Sequence, residues 1–91
     1  MLDWTRPLSW KCSIFLMSSF LYYKMNRSII TDEEFDSLAK DLHKGYYQFE
    51  HQHKHYITES MLEAGTGYNI DKYPQMVVQA ALLALDLFQE R

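Results

Sequence analysis

The stretch Leu21–Leu38, "LYYKMNRSIITDEEFDSL", decides how the chain folds. An apolar run ends in two adjacent tyrosines, Tyr22 and Tyr23, and a second run opens on Asp32, Glu33 and Glu34. Between them Asn26-Arg27-Ser28 breaks the hydrophobic period and marks a turn. Thr31, three residues ahead of Glu34, is a capping box: the Thr hydroxyl accepts from the amide three residues on, and the Glu carboxylate reaches back. The three acids also stand where a helix dipole favours negative charge. The stretch therefore predicts one helix ending, a short turn, and a second helix starting.

Working outward, Pro7 suits a first helical turn, and Leu8 to Met25 contains neither Gly nor Pro. Trp10, Ile14, Met17 and Leu21 recur at three- and four-residue spacing, with Phe15 and Tyr22 widening the stripe. On the other side of the turn, Phe35, Leu38, Ala39 and Leu42 share one face, which Tyr46 or Phe49 would extend. Gly45 is where this second helix ends or bends, because Gly costs about 1 kcal/mol against Ala inside a helix. The hairpin spans about 8–49.

Beyond it, "GTGYN" predicts a loop over 65–73, since glycines and Asn supply the unusual backbone angles of turns. Pro74 then opens a last helix, 74–90, apolar around most of its circumference. Val77, Ala80, Ala81, Ala84, Leu87 and Phe88 form one stripe, and Met76, Leu82, Leu83 and Leu85 spill onto the flanks. Such a helix is either the centre of the core or half of a dimer interface. The expectation here is a homodimer through 74–90, because a small chain has little surface against which to hide so wide a stripe. The fold class is all-α: one domain over 1–91 with three or four helices built on a helical hairpin.

Composition narrows the function. Hydrophobic residues make up 47% of the chain and aromatics 15%, which argues against intrinsic disorder and places some aromatics at a ligand or partner surface. The formal charge is -3 and no basic stripe occurs, so direct nucleic-acid binding is not expected. Cys12 is the single cysteine; it excludes an internal disulfide, fits a reducing cytoplasm, and sits in an apolar run as a buried thiol. "CSIFLMSSFLYY" resembles a signal peptide only superficially. It is shorter than the roughly twenty residues a bilayer needs, Ser18 and Ser19 interrupt it, and it lacks a small-x-small cleavage site. A cytoplasmic location without membrane contact is the expectation.

Tyr22 and Tyr23 at one helix end and Asp32 and Asp36 one turn apart at the next form a possible site. Aromatic faces beside paired acceptors suit a flat, partly cationic heteroaromatic ring, with a carboxylate bonding its amide or ribose hydroxyls. On residue types alone, ordinary packing of Tyr22 and capping by the two acids explain the pattern more simply.

"YY…IITDEEFDSLAKDL" resembles the small N-terminal subdomain of bacterial NAD-dependent DNA ligases over roughly Phe20 to Leu42. That subdomain carries a helical hairpin of the form Tyr-His/Tyr, about eight residues, Asp, two residues, Tyr-Asp, then a leucine-patterned helix. The resemblance implies a site for the nicotinamide mononucleotide half of NAD, formed by Tyr22, Tyr23, Asp32, Phe35 and Asp36. Tyr23 stands in a place often filled by His, and Phe35 where the family prefers Tyr. A Lys-x-Asp-Gly segment, a zinc-binding cysteine set and an oligonucleotide-binding fold are all missing from the chain, so ligation is not implied. With its "GTGY…YP" loop and apolar last helix, the chain is similar to a standalone phage or prophage relative of this hairpin.

Other candidates are weaker. "HQHKHY" sets His51, His53 and His55 in alternation; on a helix, His51, His55 and Glu59 would share one face and suit a zinc ion. A solvated polar face is the simpler reading, and no metal is expected. Clustered histidines would couple stability to pH near about 6. "GTG" is far short of a phosphate-binding loop, and Ser60 lacks a nucleophile elbow. The chain is therefore expected to be a non-catalytic binding module for NAD, nicotinamide mononucleotide or a related nucleotide. The alternative is a phage-encoded inhibitor or anti-defence factor gripping a host protein through its acidic second helix and exposed aromatics.

Overall fold

Leu8–Met25 forms an 18-residue helix, α1, started by Pro7, whose carbonyl accepts the amides of Trp10 and Lys11 at 3.1 Å each. It stops at Asn26, which adopts left-handed backbone (φ 56°), so that the amides of Asn26 and Arg27 both return to the Leu21 carbonyl. Asn tolerates that conformation better than most residues. The computed structural model describes residues 7–65, 70 and 72–89.

After the turn, α2 runs from Asp32 to Lys44. Its capping box forms as the sequence predicts: Glu34 N–H donates to Thr31 Oγ1 at 3.0 Å, and Thr31 N–H donates to Glu34 Oε1 at 2.9 Å. Leu38, Ala39 and Leu42 are buried and Phe35 partly so, which bears out the expected inner face. The helix ends at Gly45, where a Cβ would collide with Leu8 Cδ1. That close approach is what lets the C-terminus of α2 sit on the first turn of α1. Lys11 Nζ adds a 2.8 Å ion pair to Asp41 Oδ2 across the same pair of helices.

Two single turns of 3-10 helix follow, Tyr46–Gln48 and Lys54–Tyr56, and then the six-residue helix α3, Glu59–Ala64. Tyr46 Oη donates to the Ile57 carbonyl at 2.8 Å and fastens the intervening loop. Lys54 Nζ donates to the Phe49 carbonyl at 2.9 Å and lies 4.7 and 4.6 Å from the Tyr46 and Phe49 ring centres. Tyr46 and Phe49 thus reach the core from this loop, past the end of α2. Of the loop predicted over 65–73, residues 66–69 and 71 lie outside the described residues. The last helix, α4, spans Gln75–Gln89.

The helices lie in the packing order α4, α1, α2, α3. Of the two readings of the apolar last helix, this packing disfavours the one that makes it the centre of the core. α1 is central: Cys12, Ile14, Phe15, Leu16 and Leu21 are buried on several of its faces, because α2 covers one side and α4 another. α4 is covered on one side only. Val77, Ala81 and Ala84 are buried there, but Ala80 is exposed and Leu87 is 60% exposed, so the predicted stripe splits. The Phe88 side chain lies outside the described residues. Tyr22 is also outside the core, 51% exposed. Among the described residues no strand occurs, and the fold is all-α. No helix among them is long and apolar enough to cross a membrane.

Candidate functional site

The turn between α1 and α2 leaves a cleft of about 190 Å³. Ser18, Tyr22 and Tyr23 face it from α1, Ser28, Ile30 and Thr31 from the turn, Asp32, Phe35 and Asp36 from α2, and Gly65 from the end of α3. All five residues singled out in the sequence, Tyr22, Tyr23, Asp32, Phe35 and Asp36, therefore line one cavity. The helical spacing explains why. Ser18 and Tyr22 are one turn apart on α1, Asp32 and Asp36 one turn apart on α2, and the hairpin sets the two pairs opposite each other.

The aromatic wall has a fixed geometry. Tyr22 and Tyr23 meet edge to face, with centroids 4.8 Å apart and planes at 87°. Phe35 stacks on Phe15 at 4.7 Å and 17°, so one of its faces belongs to the core while the ring borders the cleft. A hydroxyl at position 35 would therefore sit on a ring held by packing on a buried partner.

The polar side is acidic. Asp36 Oδ2 lies 3.1 Å from Lys40 Nζ, one turn further along α2. Its Oδ1 faces Gly65: a Cβ there would stand 3.2 Å from that oxygen. Gly65 caps α3 with φ 71°, a conformation L side chains rarely adopt, so Gly meets a backbone and a steric need at once.

Ser18 is the residue that sequence reasoning passed over. It is 5% exposed, its hydroxyl has no hydrogen-bond partner among the described residues, and it lines the cleft. A buried hydroxyl left unpaired costs about 1–3 kcal/mol, so such a group in a cavity wall is a ready contact for a polar ligand atom. The signal was present in the sequence as Ser18-Ser19 interrupting an otherwise apolar run.

The histidine segment takes a different shape from either sequence reading. His51 and His53 lie outside helix, His55 sits in a 3-10 turn and Glu59 starts α3, so the helical face required for zinc does not form. Glu59 instead accepts from Tyr47 Oη at 2.6 Å, which raises the Tyr47 pKa above its usual value. Among the described residues no group of three His, Cys, Asp or Glu is placed to hold a metal ion. The segment is not a solvated face either: His51 and His53 are partly buried, and His53 Nε2 is buried without a partner among the described residues.

Cys12 is fully buried, and burial pushes its thiol up to about 12, with Lys54 opposing. A thiol that remains protonated at neutral pH is a poor nucleophile. Tyr73, edge-on to Phe20 at 5.4 Å, is likewise raised to about 12 by burial and by Tyr23.

Compared with known protein families, characterised proteins and solved structures, the chain matches none. The ligase-type reading therefore stands on the residues of the hairpin and on their geometry.

Proposed function

We propose that this chain is a small, non-catalytic binding module, similar to the N-terminal hairpin of NAD-dependent DNA ligases, that takes NAD, nicotinamide mononucleotide or a related nucleotide between α1 and α2. One observation carries the reading: the five residues matched to the ligase motif line a single cleft with Ser18, a buried hydroxyl that has no partner among the described residues. Aromatic rings, two carboxylates and a buried hydroxyl are the inventory for a flat polar ring. Ser13 and His51 do not form a nucleophile–base pair: His51 Nδ1 accepts the His53 amide, so in the neutral ring Nε2 carries the proton and donates it to Ser13 Oγ. Isothermal titration with NAD and nicotinamide mononucleotide tests the proposal. Heat that saturates and disappears in Asp36→Asn supports it, and no heat up to millimolar ligand removes it.

A second reading has its own support. Met76, Leu83 and Leu87 on α4 are each 60% exposed or more. An interaction protein would use that stripe, either to pair with a second copy or to grip another protein such as a host factor. Purification under native conditions followed by denaturation separates the two: a released nucleotide favours the binding module, and a stoichiometric protein favours the alternative.

A further inference from the structure

We propose that the exposed stripe of α4 is the meeting face of two copies of this chain, and that the two α4 helices run antiparallel across it. The inference rests on the reading of α4 as an interaction surface, and it fixes both the partner and its direction.

The stripe has two unlike edges. Met76, Ala80, Leu83 and Leu87 run along its centre, all exposed. On one edge stand Val77 and Ala84, seven residues apart and buried on the side where α4 packs on α1. On the other stand Gln79 and Asp86, also seven residues apart and both exposed. Seven residues carry a helix round by almost two whole turns, so each pair keeps to its own edge. Asp86 is the only charged residue from Gln75 to Gln89.

These edges decide the direction. In a parallel pair the twofold axis lies along the helices and exchanges left for right, so the solvent edge of each copy meets the core edge of the other. Gln79 would then press on the Ala84 side of its partner, which α1 already covers. In an antiparallel pair the axis lies across the helices, and like edges meet. The two covered edges stay with their own α1, and the two solvent edges come together. Gln79 of one copy then lies level with Asp86 of the other to within about 3 Å along the axis. Its amide can donate to that carboxylate, and the helix dipoles run head to tail.

Size agrees. With Met76 set against Leu87 of the second copy, and Ala80 against Leu83, all four exposed side chains find a partner. The small Ala80 receives the large Leu83, as interlocking layers require. A parallel pair would set Ala80 on Ala80 and Leu83 on Leu83, leaving a gap in one layer and crowding the next.

The test is disulfide trapping of the intact chain with two variants, Met76→Cys and Leu87→Cys. Both positions are exposed in the single chain, so circular dichroism should read unchanged helices. Cys12 stays out of the reaction, since it is buried and its thiol is pushed up to about 12. Mixed and mildly oxidised, the variants give a joint disulfide, resolved by intact mass, at least about tenfold above what either gives alone. In the antiparallel pair the two positions face each other, whereas in a parallel one they stand about 16 Å apart, beyond disulfide reach. Gln79→Lys, which places an ammonium opposite Asp86 of the second copy twice over, lowers the dimer dissociation constant about threefold, the worth of two exposed ion pairs. Linked product from each variant alone, with little from the mixture, overturns the antiparallel direction and leaves the pairing standing. An unchanged or higher constant in Gln79→Lys overturns the facing of Gln79 and Asp86. No linked product in any mixture, with a wild-type chain of single mass at every concentration, overturns the pairing itself and leaves the stripe to another protein.

Discussion

Ser13 Oγ lies 2.7 Å from His51 Nε2, joining α1 to the loop after the first 3-10 turn. The opposite ring nitrogen, Nδ1, accepts the backbone N–H of His53 at 3.0 Å. An amide can only donate, so Nδ1 carries no proton, and in the neutral ring the proton sits on Nε2 and is given to Ser13. A general base needs the reverse arrangement. The pair is a structural clasp, and it carries a pH dependence.

Protonating His51 turns Nδ1 into a second donor facing the His53 amide, and the bond is lost. Burial and the neighbouring His53 both lower the His51 pKa from its usual 6.5. The sign follows: the unfolded chain takes up a proton near 6.5 while the folded chain resists it until a lower pH. Stability from this group is complete above that value and declines as pH falls from about 6.5 toward the folded pKa. Thermal melts at pH 8 and pH 5.5 are expected to show a lower midpoint in acid. His51→Gln should reduce that difference; an equal drop in wild type and variant would assign the effect elsewhere.

Asp36→Asn separates binding from folding. Its fold cost is small, about 0.3–0.5 kcal/mol, the worth of an exposed helical ion pair with Lys40. Ligand heat should vanish all the same, because the cleft loses one of its two charges. Thr31→Ala is the contrasting variant: breaking the capping box costs about 1 kcal/mol, read as a lower melting midpoint with or without ligand.

Gly65→Ala attacks the cleft from α3. The added methyl must adopt φ 71° and stand 3.2 Å from Asp36 Oδ1. A loss of about 1–2 kcal/mol in denaturant unfolding is expected from the backbone alone. Any surviving folded protein should bind ligand more weakly, since Asp36 has to move.

Much of this fold was legible because local signals agreed with tertiary structure. The Thr31–Glu34 box, the Asn26 break and the Leu38, Ala39, Leu42 face all appear where the spacing put them. Local chemistry governs helix ends, and the cleft residues were readable for the same reason: they sit within one turn of those ends. What periodicity concealed was relative position. α1 and α4 are both rich in apolar residues, and the pattern alone does not say which one is flanked on two sides. The tertiary packing chose α1, leaving Ala80 and Leu87 outside. The histidine segment misled for a different reason, since its side chains are placed by contacts with Ser13 and with one another and not by any helical repeat.

Assembly is the last prediction, and it rests on the outer face of α4. Met76, Ala80, Leu83 and Leu87 follow one another at spacings of four, three and four residues, and all four are exposed. That is the seam of a two-helix contact, in which apolar side chains repeat about every 3.5 residues and interlock with a facing copy. Leu82, 42% exposed, widens the seam on one side. A twofold pairing buries the same stripe on both subunits and leaves the cleft between α1 and α2 on a different face of α1. Light scattering across a range of concentrations is expected to give twice the chain mass of 10.9 kDa, tending to the single mass on dilution. Leu83→Glu, which places a charge at the centre of the seam and touches nothing in the core, should give the single mass throughout with helicity retained. A wild-type chain that remains at 10.9 kDa at every concentration would rule the dimer out.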